Sequence, residues 1–154
     1  MNEAAFEDEM GCTDCDLTGT YDHNVDEKGR LNFPAKLREQ LGATFWIARS
    51  FTDKCLAVYS AENWKNLMRQ IKDIPGVKGD KVRRWICSGA AEVTPDKQGR
   101  ILIPQALRRF AELEKDVVVA GTGRKAEIWN SQLWQENNME LDDETLDVLD
   151  NVLL

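Results

Sequence analysis

One thirteen-residue phrase occurs twice in this chain, as Asp26-Glu27-Lys28-Gly29-Arg30-Leu31-Asn32-Phe33-Pro34-Ala35-Lys36-Leu37-Arg38 and as Asp96-Lys97-Gln98-Gly99-Arg100-Ile101-Leu102-Ile103-Pro104-Gln105-Ala106-Leu107-Arg108. Six of the thirteen positions are identical at a constant offset of 70 residues, and the offset persists where Val58-Tyr59 meets Ile128-Trp129 and Trp64 meets Trp134. Between those anchors the match slips by two, with Phe45-Trp46-Ile47 aligning to Val117-Val118-Val119. Insertions of that size belong in loops. The chain is therefore a tandem duplication. Two copies are too few for a solenoid, so they are expected to pack on each other about a pseudo-two-fold axis, as a fused dimer.

Length and composition suit such a fold. The 154 residues, 42% hydrophobic and 31% charged, are those of a globular chain that can bury a sizeable core. No apolar run approaches a membrane span, and the acidic N-terminus does not read as a signal peptide. The expected location is the cytoplasm. The formal net charge of −7 conceals an uneven distribution. Residues 1–16 and 137–154 each carry six acids and no Lys or Arg, and without them 20 basic residues face 15 acids. A basic core of +5 is compatible with a nucleic-acid partner despite the acidic whole.

In the first copy Leu17 to Val25 reads as a strand, Asp26-Glu27-Lys28-Gly29 as a type I turn whose Gly supplies positive φ, and Arg30 to Phe33 as a return strand. The motif is expected on a hairpin, and Pro95 marks the strand end in the second copy. Pro34 and Pro104 are expected as first residues of helices over 34–41 and 104–111. Strands follow at Thr44–Ala48 with Cys55–Tyr59, and at Val117–Ala120 with Ala126–Trp129. Ser60 and either Asn130 or Ser131 are capping candidates for helices near 61–72 and 131–138. Residues 72–79 read as a Pro- and Gly-bearing linker, and a helix near 79–88 carries Lys81, Arg83 and Arg84, read as a solvated face in preference to a DNA-backbone contact. The organisation is thus an acidic extension at 1–16, a first repeat at 17–72, a linker and basic helix at 73–89, a second repeat at 90–136 and an acidic tail at 137–154. Residues 142–154 can form an amphipathic helix through Leu146, Leu149 and Leu153, and disorder suits both tails equally well.

Chemically, the repeated turn offers arginines. Arg30 and Arg100 are candidates to project towards DNA, where an Arg binds phosphate or pairs bidentately with guanine. Asp26, Gly29, Asp96 and Gly99 are the candidates for orienting the turn, and Lys28, Lys97 and Gln98 sit at its tips. Lys97 replaces Glu27, so the second turn is the more basic and the better candidate for base contact.

The doubled Asp-x-x-Gly-Arg-apolar-x-apolar-Pro phrase, with Ser88-Gly89-Ala90-Ala91-Glu92 before the second copy and Val117-Val118-Val119 and Glu127-Ile128-Trp129 after it, resembles the MraZ family of bacterial transcriptional regulators over residues 17–136. That family belongs with the AbrB and MazE type of DNA-binding domain. The resemblance implies an α+β, β-dominated fold, a tandem swapped-hairpin or double-split β-barrel with short flanking helices. It also implies assembly of several chains into a ring. The implied activity is binding to short direct repeats in double-stranded promoter DNA, usually of the division and cell-wall cluster that includes the regulator's own gene, with a nucleoid-associated location. Asp26 and Arg30, and Asp96 and Arg100, fall on the family's Asp-x-x-x-Arg positions. Asn32 stands where an apolar residue is expected.

Other classes leave weaker traces. Cys12-x-x-Cys15 reads as half a zinc site, with His23 as a candidate further ligand, or as a redox pair; it lacks a second pair and a nearby nucleophile pattern, so no metal, cofactor or small-molecule substrate is expected. Cys55 and Cys87 read as small packing residues, and the five tryptophans as core or interface residues. With one His, no nucleophile elbow and no phosphate loop, no catalytic set assembles and an enzyme is not expected. The alternative to a DNA-binding regulator is an antitoxin-like interaction module that binds a partner through its acidic tail.

Overall fold

The computed structural model describes residues 16–137 and 140–152. Cys12, Cys15 and all but the last residue of the acidic N-terminal extension lie outside the described residues. The fold is mixed α+β and strand-rich, with eight strands and six helices among the described residues. The strands are β1 (Thr20–Asn24), β2 (Arg30–Asn32), β3 (Phe45–Arg49), β4 (Leu56–Ser60), β5 (Ala91–Val93), β6 (Arg100–Leu102), β7 (Asp116–Gly121) and β8 (Ala126–Asn130). The helices are α1 (Ala35–Leu41), α2 (Ala61–Lys72), α3 (Gly76–Gly89), α4 (Gln105–Phe110), α5 (Ser131–Glu136) and α6 (Asp143–Asp147).

The pairing of the strands interleaves the two copies. One antiparallel sheet has the order β1-β7-β8-β4-β3-β5, and β2 pairs with β6 in a separate two-stranded ribbon. Leu31 faces Ile101 in the ribbon and Ala57 faces Glu127 where β4 meets β8, and in both pairs the partners are duplicates of each other. A pseudo-two-fold axis therefore threads both pairs. The edge strands obey it too: Asp22 faces Val118 and His23 faces Val117, just as Glu92 faces Trp46 and Val93 faces Phe45. The two-residue slip in the alignment is absorbed before β3 and β7.

This arrangement corrects the local hairpin. Within one copy a single bridge, Val25 to Leu31, joins the strand to its return segment. β2 instead completes its hydrogen bonding on the other copy, continued by Phe33 N–H to Gly99 C=O at 3.0 Å and Ile103 N–H to Gly29 C=O at 2.9 Å. A three-residue strand has too little surface to hold a hairpin alone, whereas pairing across the axis buries Leu31, Phe33, Ile101 and Ile103 together. Asn32 does not disturb this packing. Strand alternation turns it, and its counterpart Leu102, outward to solvent.

Alternation also gives the large sheet two working faces. Phe45, Ile47, Leu56, Val58, Val119 and Ile128 point to one side and form the main core beneath the ribbon, α1 and α4. Trp46, Ala48 and Tyr59 point to the other side and pack under α2 and α3, while Val118 and Trp129 pack against α5. Trp46 stacks on Trp64 of α2 with centroids 4.9 Å apart and planes 7° from parallel. Each helix of 12 residues or more thus lies on the face away from the ribbon.

Several element ends differ from the sequence expectation. Pro34 and Pro104 are caps with extended ψ, one residue before the helices they were expected to begin. Their fixed φ suits either place, and the preceding ribbon keeps their backbone extended. β1 covers Thr20–Asn24 only, since Leu17 and Val25 make single bridges. α3 starts at Gly76, leaving Asp73–Pro75 as the connection to α2. Ser60 Oγ accepts from Asn63 N–H, and Asn130 Oδ1, in preference to Ser131, accepts from Gln132 and Leu133 N–H. Arg83 is not a solvated residue of α3. Its Nη1 donates to the carbonyls of Ile71, Lys72 and Ile74 at 2.9 to 3.1 Å, satisfying the open C-terminal end of α2. Cys55 is fully buried, but Cys87 is exposed. Trp64 and Trp129 are buried, and Trp85 is 37% exposed.

The duplicate of Gly42, which ends α1 at φ +93°, is Glu112 at φ +53°. A non-glycine residue held there costs about 1–2 kcal/mol, and its surface ion pair with Lys54 at 3.5 Å returns little of it. Glu112→Gly is expected to stabilise the protein by about 1 kcal/mol, raising the melting temperature by about 2–4 °C in a calorimetric scan.

Candidate nucleic-acid interface

The two turns have the same construction. Gly29 N–H donates to Asp26 C=O at 3.0 Å and Gly99 N–H to Asp96 C=O at 2.9 Å, closing type I turns. Gly29 and Gly99 then take φ +84° and +81°, the left-handed step that lets Asp26 and Asp96 N–H reach the carbonyls of Arg30 and Arg100. Asp26 Oδ1 accepts the N–H groups of Lys28 and Arg30 at 2.9 and 2.8 Å, and Asp96 Oδ1 those of Gln98 and Arg100 at 2.9 Å each. The second carboxylate oxygen takes the guanidinium Nε, at 2.7 Å in Arg30 and 2.9 Å in Arg100. Each aspartate thus ties three turn donors to one carboxylate.

Electrostatics follow from these bonds. The backbone N–H of Arg30, then its side chain, hold the Asp26 carboxyl below the ordinary carboxylate range, and Arg100 does the same for Asp96. The contact engages Nε, and the terminal Nη groups are the donors through which a guanidinium forks onto phosphate or guanine. Arg30 and Arg100 are each about one third exposed, at 35% and 32% of the side chain. Lys28, Lys97 and Gln98 are exposed at the tips.

Arg30 and Arg100 meet on one surface through the ribbon. Arg30 lies opposite Leu102, and Asn32 opposite Arg100. Leu31 and Ile101 between them point inward, so Arg30, Asn32, Arg100 and Leu102 share the outward face. Each stands beside the other copy's strand, with the turns at opposite ends of the ribbon. Asn32 and Leu102 were not legible as site residues, because their membership depends on cross-copy pairing.

Arg38 and Arg108 were missed for the same reason. Arg38 Nε donates to Phe33 C=O at 3.0 Å and Arg108 Nε to Ile103 C=O at 2.9 Å, both local bonds at the start of α1 and α4. Their guanidinium groups then reach the opposite copy. A Cβ built on Gly29 would lie 2.7 Å from Arg108 Cζ, and one on Gly99 2.7 Å from Arg38 Cζ. Each turn therefore rests on an arginine of the other repeat, fitted into the space that a missing side chain leaves. The signal present in the sequence was their identity in both copies.

Elsewhere, no described group of three or more His, Cys, Asp or Glu residues is placed to hold a metal ion. Among the described residues no helix is long and apolar enough to cross a membrane.

Gly29→Ala or Gly99→Ala is expected to cost about 1–2 kcal/mol through the positive φ alone, read as a lowered denaturant midpoint, and to displace the arginine beneath. The folded-state pKa of Asp26 and Asp96 is depressed, so their bonds stabilise the fold above the unfolded value and are lost as pH falls through the lower folded value. In a carboxyl-carbon NMR titration both should titrate below an ordinary aspartate. Arg30→Ala should move the Asp26 midpoint upward and leave that of Asp96 in place.

Comparison with known proteins places this architecture. Residues 17–83 and 86–149 match the family described as "MraZ protein, putative antitoxin-like". A protein of Caldanaerobacter subterraneus subsp. tengcongensis named transcriptional regulator MraZ is 43% identical over 140 residues, covering 88% of this chain and 97% of its own. A Heliobacterium modesticaldum protein of the same name is 48% identical over 122 residues, 78% of this chain and 85% of its own. One from Thermoanaerobacter sp. is 44% identical over 128 residues, 82% and 89% respectively. With family matches on both repeats and relatives of this similarity along most of its length, the chain belongs to the MraZ family of transcriptional regulators.

Proposed function

We propose that this chain regulates transcription by binding double-stranded promoter DNA in a sequence-specific manner, with the β2–β6 ribbon and its two turns as the reading surface. The observation that carries this is the outward ribbon face, where two duplicated arginines stand beside Asn32 and Leu102. A two-stranded ribbon fits the major groove, where Arg reads guanine, Asn reads adenine and an apolar side chain meets the thymine methyl. The carboxylate bonds preorganise Arg30 and Arg100, so less side-chain freedom is lost on binding. Lys28, Lys97 and Gln98 add phosphate or base-edge contacts from the tips.

The finer family features belong to the same proposal. The interleaved strands support a swapped-hairpin, double-split β-barrel description. One ribbon offers few contacts, so several chains in a ring bind a series of short direct repeats through effective concentration. The promoter of the division and cell-wall cluster that encodes the regulator is the proposed target, and a nucleoid-associated cytoplasmic location follows from it.

Arg30→Ala and Arg100→Ala should each weaken binding to upstream DNA of the chain's own gene by about tenfold to a hundredfold, and the pair should abolish it, with the melting temperature nearly unchanged. Arg100 should matter more, since Lys97 accompanies it where Glu27 accompanies Arg30. Gel-shift titration with each variant measures this, and unchanged affinity in both overturns the assignment. An antitoxin-like module would instead keep its partner without these arginines and lose it when residues 137–154 are deleted.

A further inference from the structure

The sheet face opposite the ribbon carries an apolar groove of about 790 Å³ between α2 and α3. Its floor is formed by the Trp46–Trp64 stack, Met68 and Ile71, with Cys87 on the α3 side. Along the same helix Lys65, Arg69 and Lys72 line the rim at positions i, i+4 and i+7, one step round from Trp64, Met68 and Ile71. Among the described residues Glu92 is the one acid in the lining, and Arg83 there pairs with Asp80 at 2.8 Å. The groove is thus an apolar strip with a basic edge on a two-turn repeat.

The chain contains a segment of the opposite character. Asp143 and Asp147 lie in α6 and Asp150 in the turns that follow it, and Leu141, Leu146, Val148 and Val152 of the same segment are 43–77% exposed. α6 has no buried residue. Its helical start is secured by Asp142, whose Oδ1 accepts Thr145 N–H at 2.7 Å. The segment follows α5, which packs on β7 and β8 of the second repeat, whereas the groove lies over β3 in the first. An acidic segment with exposed apolar side chains is complementary in charge and character to a basic-edged apolar groove.

We infer that the acidic C-terminal segment, Leu141–Val152, of one copy docks in the α2–α3 groove of a second copy. Its carboxylates meet Lys65 and Lys72, and its apolar side chains cover the tryptophan stack. The contact lies on the sheet face away from the ribbon, so it leaves the proposed DNA surface free and does not rest on that reading.

The groove's exposed thiol provides the test. Val148→Cys, in full-length protein carrying Cys12→Ser and Cys15→Ser, is exposed to glutathione disulfide at micromolar protein concentration. Cys87 and the new thiol each lose a proton and together two electrons, forming one S–S bond and reducing the disulfide to two glutathione thiols. Cys55 stays silent, since burial pushes its thiol up to about 12. Species of two or more chains on a non-reducing gel, abolished by Cys87→Ser, are the expected result. Lys65→Glu with Lys72→Glu should slow their formation at least tenfold, and adding Asp143→Lys with Asp147→Lys should restore it. A bond formed only within one chain, no bond at all, or formation indifferent to charge reversal overturns the inference.

Discussion

The structure depends on the pairing of β2 with β6 across the pseudo-two-fold axis. Among the described residues neither three-residue strand pairs within its own copy beyond one bridge, so the ladder from Gly29 C=O to Phe33 N–H joins the repeats on this side, as β1–β7, β4–β8 and β3–β5 join them in the large sheet. It buries Leu31, Phe33, Ile101 and Ile103 against the sheet and turns the intervening residues outward. The same register sets Arg30 and Arg100 on one surface. Core and candidate site are therefore two faces of one ribbon, and a slip of one residue would exchange them.

Arginine serves this arrangement in two roles. Arg30 and Arg100 are bonded to the turn aspartate four residues back and remain partly open to solvent. Arg38 and Arg108 lie beneath the opposite turn, against glycines whose missing side chains make room for the guanidinium. A change in α1 is consequently felt at the second turn, and a change in α4 at the first. The large sheet separates this surface from α2, α3 and α5, because alternation sends Phe45 and Ile47 to one face and Trp46 and Ala48 to the other.

What could be read from the sequence was local. The Asp-x-x-Gly-Arg turn was legible because its bonds span at most four residues and the glycine conformation is intrinsic to that turn. The caps at Ser60 and Asn130 were legible for the same reason. The hairpin assignment extended this logic to a strand pair too short to sustain itself. Cys87 and Arg83 were misplaced because burial and capping there come from the packing of α3 on α2, which the sequence of α3 alone does not contain.

By itself, then, the sequence determined the duplication, the two preorganised turns with their aspartate and arginine, and the division of charge between a basic core and acidic ends, all of which are properties of near neighbours or of composition. Only the tertiary structure decided the register in which strands of one copy pair with those of the other, that Asn32 and Leu102 stand on the ribbon face with the arginines, and that Arg38 and Arg108 lie against the opposite turns. These contacts join residues about 70 apart, and such pairings are set by which apolar surfaces can be buried together.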